Sequence, residues 1–216
     1  MPVNRCVIIG GAEIGDYSRI SRILRGDDFF ICCDSGLRHA EKLRITPSLI
    51  VGDFDSSERP DTDIETIALP RGKDDTDSVY AAKEAVRRGY ENFLLIGMIG
   101  ERFDHTFGNV SLLLWLDSIG KKAQIADDYS EMEIVSRGTA EIDDSYAFFS
   151  LLNISGTAQD ITIRGAKYPL EGAEITSEYQ YGISNEVIHG GKATVSVGKG
   201  RVLLVKIQNS ECRIQN

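Results

Sequence analysis

The stretch Gly52-Asp53-Phe54-Asp55-Ser56 sets two carboxylates at i and i+2 directly after the apolar run Leu49-Ile50-Val51. If that run is a buried strand, side chains two apart leave its end on one face, so both carboxylates can reach one hard cation such as Mg2+. Asp also favours turns, and a solvated polar turn is the plainer reading of the same residues. A second acidic group lies in Arg71-Gly72-Lys73-Asp74-Asp75-Thr76-Asp77. It opens a helix predicted over about 77–88, with Val79, Ala82 and Val86 at helical spacing and a stop at Gly89. Asp74 and Asp77 fall three apart on the first turn, at the positive end of the helix dipole. A capping box would account for them. Lys73 beside them completes the mixture that holds a metal-bound polyphosphate.

Other candidates sit where apolar runs give way to helical patterns. Arg5 to Ile9 reads as a strand that breaks at Gly10-Gly11, where bare backbone either makes a tight turn or brings N–H groups to a phosphate. Phe29 to Cys33 ends in Asp34-Ser35-Gly36; Asp34 or Ser35 would cap the next helix, and Asp34 could equally accept from a ribose hydroxyl. Phe93 to Ile96 ends in Gly97, and Gly100-Glu101-Arg102-Phe103-Asp104-His105 then leads into an amphipathic helix with Phe107, Val110, Leu113 and Leu114 on one stripe. The Arg102 fork fits phosphate oxygens, while His105 is a cap, a surface residue or a catalyst.

Positioning these groups takes strands alternating with helices through residue 130, which implies right-handed crossovers and a mostly parallel sheet flanked by helices. From 131 onward the segments are short, β-branched and broken by Gly, Asp or Asn: 133–135, 147–152, 161–164, 187–188, 193–197 and 202–207. Gly198-Lys199-Gly200 gives a hairpin signal between the last two. The chain therefore reads as α/β, with an α/β domain over 1–130 and an all-β domain over 131–216. In the second, Tyr179-Gln180-Tyr181-Gly182-Ile183-Ser184-Asn185 could stack on a flat cationic ring and orient its polar edge, although ordinary surface loops share this composition.

Over 216 residues, 42% hydrophobic content supplies a core, and a net charge of −9 argues against nucleic acid or an anionic membrane as partner. No apolar run reaches the length of a membrane span or signal core, so a soluble cytoplasmic protein is expected. Cys6, Cys32, Cys33 and Cys212 lack C-x-x-C spacing and read as reduced thiols.

The ordered series Asp34-Ser35-Gly36, Gly52 through Ser56, Lys73 through Asp77 and Gly100 through His105 is completed by Gly165-Ala166-Lys167-Tyr168-Pro169-Leu170 and Ile183-Ser184-Asn185. Together, over nearly the entire chain, it resembles the bacterial thiamine pyrophosphokinase (thiamine diphosphokinase) family. The resemblance implies an α/β catalytic domain and a β-sandwich domain in a homodimer, with thiamine between the catalytic domain of one subunit and the β domain of the other. It implies pyrophosphoryl transfer from ATP to the thiamine hydroxyl, giving thiamine diphosphate and AMP. It further implies Mg2+ held by Asp53, Asp55 and Asp77. Gly10 and Gly11 join this scheme as the phosphate turn. Lys73, Asp74, Thr76, Arg102, Asp104 and His105 line the nucleotide site with Asp34 close by, and Ser184 and Asn185 meet thiamine. Alternatives are another Mg2+-dependent phosphoryl or nucleotidyl transferase, or a thiamine or nucleotide sensor without turnover. Ser35 stands where many members carry glycine. Some members place a tryptophan in the final strand, where this chain has Val205 and its only tryptophan is Trp115, so Tyr179 or Tyr181 is the expected ring partner.

Overall fold

The computed structural model describes residues 5–54, 61–70, 72, 74–100, 102–136 and 138–209. They fall into two units, Met1–Asp128 and Tyr129–Asn216.

In the first unit β1 (Arg5–Ile9) leads through α1 (Tyr17–Ile23) to β2 (Phe29–Cys33). A single 3-10 turn, Asp34–Gly36, then enters α2 (Leu37–Leu43), followed by β3 (Leu49–Gly52) and β4 (Thr66–Ala68). The chain next crosses by α3 (Asp77–Arg87) to β5 (Asn92–Ile96), and by α4 (Phe103–Ser118) to β6 (Lys122–Ala126). All six strands are parallel, in the order β6-β5-β1-β2-β3-β4. Helices cover both faces, which is why β1, β2, β3 and β5 are near-continuous apolar runs with no polar side. On one face Val7, Ile9, Phe30, Cys32, Leu94 and Ile96 pack with Ile20 and Ala40. Across β1, β2 and β3 lies α3, whose Ala81, Ala82 and Ala85 are fully buried and let the helix approach closely.

The helix ends differ from expectation in two places. The N-cap of α2 is Gly36, so neither Asp34 nor Ser35 stands at the cap position. The N-cap of α3 is Thr76, whose Oγ1 accepts from Val79 N–H, and Asp74 forms no capping box with Asp77. In α4 the buried side is Asn109, Val110, Leu112, Leu113 and Leu116, whereas Phe107 is 56% exposed. At 100° per residue Phe103 and Phe107 fall opposite His105 and Asn109, so the first turn faces solvent with the aromatic side expected to be buried.

The second unit is all antiparallel: β7 (Ser130–Val135), β8 (Thr139–Asp143), β9 (Tyr146–Leu152), β10 (Thr157–Arg164), β11 (Leu170–Thr176), β12 (Gly182–Asn185), β13 (Lys192–Lys199) and β14 (Val202–Gln208). Neighbours run β12-β9-β14-β7 in one sheet and β11-β10-β13-β8 in the other. Phe149, Leu151, Val202 and Leu204 of the first sheet share a core with Ile161, Ile163, Val195 and Val197 of the second, which makes a sandwich. The expected hairpin at Gly198-Lys199-Gly200 is instead a corner between sheets, because β13 pairs with β8 and β10 while β14 pairs with β7 and β9. The core face ends in a charged cluster, where buried Lys206 reaches Glu131 and Glu133 at 3.0 Å each.

Candidate active site

A cleft of about 440 Å³ opens at the carboxyl ends of β1, β2 and β5, where the chain stops building to one side of β1 and starts on the other. Its floor is made of backbone. Gly10 N–H donates to the Ile96 carbonyl at 2.8 Å and Ala12 N–H to the Gly97 carbonyl at 2.9 Å, so the turns after β1 and β5 are stitched together. A Cβ on Gly10 would fall 2.5 Å from the Gly97 oxygen, and one on Gly97 equally close to the Gly10 oxygen. Glycine at both positions is therefore a steric requirement.

One wall is the start of α3, with Thr76, Asp77 and Ser78, and the other is the start of α4, with Arg102, His105, Thr106 and Asn109. A chain of hydrogen bonds sets their spacing. Thr76 Oγ1 and Ser78 Oγ lie 3.0 Å apart, Ser78 Oγ donates to Asn109 Oδ1 at 2.9 Å, and Asn109 Nδ2 donates to the Met98 carbonyl at 2.9 Å. Thr106 Oγ1 accepts from Gly100 N–H at 3.1 Å and fastens the loop after β5 to α4. Arg102 holds Asp104 through two hydrogen bonds, of 3.0 and 2.7 Å, and its guanidinium keeps the Asp104 carboxyl well below the usual carboxylate range.

Fully buried His39 of α2 lies beneath this floor, its Cδ2 3.3 Å from where a Gly97 Cβ would stand. Nδ1 is 2.6 Å from the Tyr17 hydroxyl, and Nε2 has no hydrogen-bond partner among the described residues. Burial, then the nearby Arg38 guanidinium, lower its pKa, against the pull of the Ala12 backbone toward the charged ring.

Of the residues singled out from sequence, Gly10, Gly11, Thr76, Asp77, Arg102 and His105 line the cleft. Asp53, Asp34, Asp74 and Asp104 do not. Asp34 is buried against the end of β3, since a Cβ on Gly52 would meet the Asp34 Cβ at 2.7 Å. Asp53 follows β3 directly, and the next residue, Phe54, has a left-handed φ of 51°, a conformation that aromatic residues avoid. Asp74 is exposed. Asp55 and Lys73 lie outside the described residues. Sequence reasoning missed Glu13, Arg38, Ser78 and Asn109. Only Asn109 left a signal, as a polar residue within an apolar helical side.

Asp77 lines the cleft and Asp53 stands outside its lining at the end of β3; both offer hard carboxylate oxygens, of which Mg2+ takes one or two while water and phosphate oxygens complete its shell. Among the described residues no three Asp, Glu, His or Cys side chains gather into a larger cage.

In the second unit Ser184 and Asn185 belong to edge strand β12, not to a loop. Ser184 is exposed with a left-handed φ of 58°, and its N–H donates to Ser150 Oγ at 3.0 Å. Asn185 is buried and works on the backbone: Oδ1 accepts from Tyr168 N–H and Glu186 N–H, and Nδ2 donates to the Tyr168 carbonyl. The Tyr181 hydroxyl donates to the Glu174 carbonyl, and its ring centroid lies 5.6 Å from that of Tyr179.

Two family models match the chain, thiamin pyrophosphokinase, catalytic domain, over residues 20–126 and thiamin pyrophosphokinase, vitamin B1 binding domain, over 139–202. Thiamine pyrophosphokinase of Bacillus subtilis (strain 168) is 30% identical over 170 residues, covering 75% of this chain and 79% of its own. A crystal structure of thiamine pyrophosphokinase from Bacillus subtilis superposes with a TM-score of 0.84 at 25% identity, covering 95% of this chain and 100% of that one. Another, thiamin pyrophosphokinase from Geobacillus thermodenitrificans, gives 0.82 at 27% identity over 96% and 99% of the two chains. With both halves matched in order and the fold shared end to end, the chain belongs to the thiamine pyrophosphokinase family.

Proposed function

We propose that this chain transfers the pyrophosphoryl group of ATP to the hydroxyl of thiamine, giving thiamine diphosphate and AMP, with Mg2+ as cofactor. The observation that carries the reading is that Gly10, Gly11, Thr76, Asp77, Arg102 and His105, from three separate strand-to-helix junctions, line one cleft. A triphosphate needs these groups: unhindered backbone, a helix start and a guanidinium fork.

The thiamine oxygen forms a bond to the β-phosphorus as the bond to the α–β bridging oxygen breaks. The electron pair leaves with AMP, and the hydroxyl proton passes to a carboxylate. Charge thus develops near the α and β phosphates, where cations stabilise it most. Asp53 and Asp77, with Asp55, would hold Mg2+, which when bound supplies charge neutralisation and alignment of the triphosphate. Arg102 and His105 bind phosphate oxygens from the α4 side, and one of the three aspartates takes the proton. Asp34, Asp74 and Asp104 stand outside the lining of the cleft and in this reading act from behind it, Asp104 by holding Arg102, while Lys73 is the further phosphate partner expected from its motif. Ser184, Asn185 and Tyr181 serve the thiamine ring, with the buried Asn185 fixing the Tyr168 turn.

The acting form in this reading is a homodimer. Its support is the outer face of the β12-β9-β14-β7 sheet, where Phe148 is exposed and Met132, Ile134, Leu152 and Ile207 are half-buried, an apolar set suited to a second copy. A cytoplasmic site is supported by thiols: Cys6 and Cys32 are buried and free, and burial pushes the Cys32 thiol up to about 12. No helix among the described residues is long and apolar enough to cross a membrane. Neither a membrane nor nucleic acid is a partner in this reading, in keeping with the net charge of −9.

Incubation with ATP, Mg2+ and thiamine, resolved by chromatography, tests the reaction. Thiamine diphosphate and AMP form in equal amounts. Thiamine monophosphate with ADP would overturn the reading.

A further inference from the structure

Arg38, in α2, lines the same cleft as Arg102. Its Nη1 lies 2.8 Å from Glu13 Oε1, and its Nη2 donates to the Gly11 carbonyl at 2.5 Å. Glu13 belongs to the same turn as Gly10 and Gly11, so one guanidinium grips both the carbonyl of the glycine turn and a carboxylate at the rim. Arg102, which also lines the cleft, is likewise paired with an exposed carboxylate, that of Asp104.

The geometry points to Arg38 as a second phosphate-binding arginine of the nucleotide site, with Glu13 as an internal competitor that the triphosphate displaces. The inference rests on the reading of the cleft as the ATP site and adds a ligand-binding residue to it. Three physical points carry it. The Glu13 side chain is 72% exposed and that of Arg38 46%, and ion pairs this open contribute little, so exchanging the partner costs little. A guanidinium has five donors, so its bond to Gly11 does not exhaust it, and that bond fixes the fork beside the turn that phosphate approaches. A triphosphate brings several charges where Glu13 brings one, and bidentate Arg–phosphate pairs are among the strong charge-assisted hydrogen bonds.

A plain surface salt bridge predicts that removing either partner has the same small effect. A competitor predicts opposite signs. The test is equilibrium titration of the wild type, Arg38→Gln, Arg38→Lys and Glu13→Gln with Mg–ATP and with AMP, beside the KM for thiamine and a thermal melt of each variant. Arg38→Gln weakens Mg–ATP binding about tenfold or more and AMP binding far less. Arg38→Lys recovers part of the loss, Glu13→Gln tightens Mg–ATP a few-fold, and the thiamine KM stays within twofold in all, about the size of small surface effects. Unchanged Mg–ATP affinity in a folded Arg38→Gln, or weakening in Glu13→Gln equal to that in Arg38→Gln, would overturn the inference. Failure of the wild type to bind Mg–ATP or to release AMP would instead strike the reading of the cleft itself, so the two failures are distinguishable.

Discussion

A side chain on Gly11 would collide with Ser35: an ideal Cβ there falls 1.8 Å from Ser35 Oγ and 2.6 Å from Ser35 Cβ, while the next neighbour is 3.5 Å away. The turn after β1 and the turn after β2 are thus packed backbone to hydroxyl. Gly11→Ala alone destabilises the protein by about 1–3 kcal/mol through overpacking and weakens ATP binding. Adding Ser35→Gly removes both close atoms. The double variant recovers most of the stability and affinity, as read by urea midpoints and ATP titration, and equal loss in single and double variants would contradict the assigned contact.

Asn109 joins α3 to the loop after β5 through Ser78 and the Met98 carbonyl. Asn109→Leu keeps the branched shape and strands both partners, so stability falls by about 1–3 kcal/mol. Because the same bonds set the distance of Thr76 and Asp77 from α4, the KM for ATP rises while the KM for thiamine holds. Steady-state kinetics with each substrate varied in turn checks the split.

The catalytic half was largely legible because buried parallel strands announce themselves as unbroken apolar runs, as in Arg5–Ile9 and Phe29–Cys33. The β half was legible only where strands are central. β8 and β11 are edges of their sheet: Thr139-Ala140-Glu141-Ile142-Asp143 is short with Ile142 its one large apolar residue, and Leu170-Glu171-Gly172-Ala173-Glu174-Ile175-Thr176 loses its alternation at Gly172-Ala173, where the register with β10 shifts. Val187, expected in a strand, makes a single bridge to Ala166. In the cleft, residues at strand ends were found by motif. Arg38 was not, because it sits within a helix and reaches the turn after β1 only once β1 and β2 lie side by side.

His39 is neutral in the fold at ordinary pH, since burial lowers its pKa from the usual 6.5. The unfolded chain takes up that proton first as the pH falls through 6.5, so stability is full above this value and declines below it. His39→Gln removes this slope between pH 7 and 5.5. Urea midpoints measured across that range check it, and an unchanged slope in the variant would assign the effect elsewhere.

Glu84 works in the acid range. It accepts from Arg87 and Arg88, and these guanidinium groups, Arg87 foremost, hold its carboxyl down to about 2 from 4.5. Its contribution is complete above pH 4.5 and is lost as the pH falls toward 2. Arg88 also binds Glu65 just before β4, so the cluster anchors the far end of the helix that presents Asp77. Glu84→Gln lowers the melting temperature at pH 7 and flattens its dependence on pH between 4.5 and 3, measurable by calorimetry.

The central claim, that the cleft moves a two-phosphate unit as one piece with Asp77 in the machinery, is met most directly by following label from ATP carrying radioactive β-phosphate. In the wild type with Mg2+ and thiamine, all transferred label appears in thiamine diphosphate and the AMP is cold, while Asp77→Asn slows the transfer by about a hundredfold or more with its fold intact. Label recovered in ADP or free pyrophosphate, or an Asp77→Asn variant running at the wild-type rate, would contradict the account.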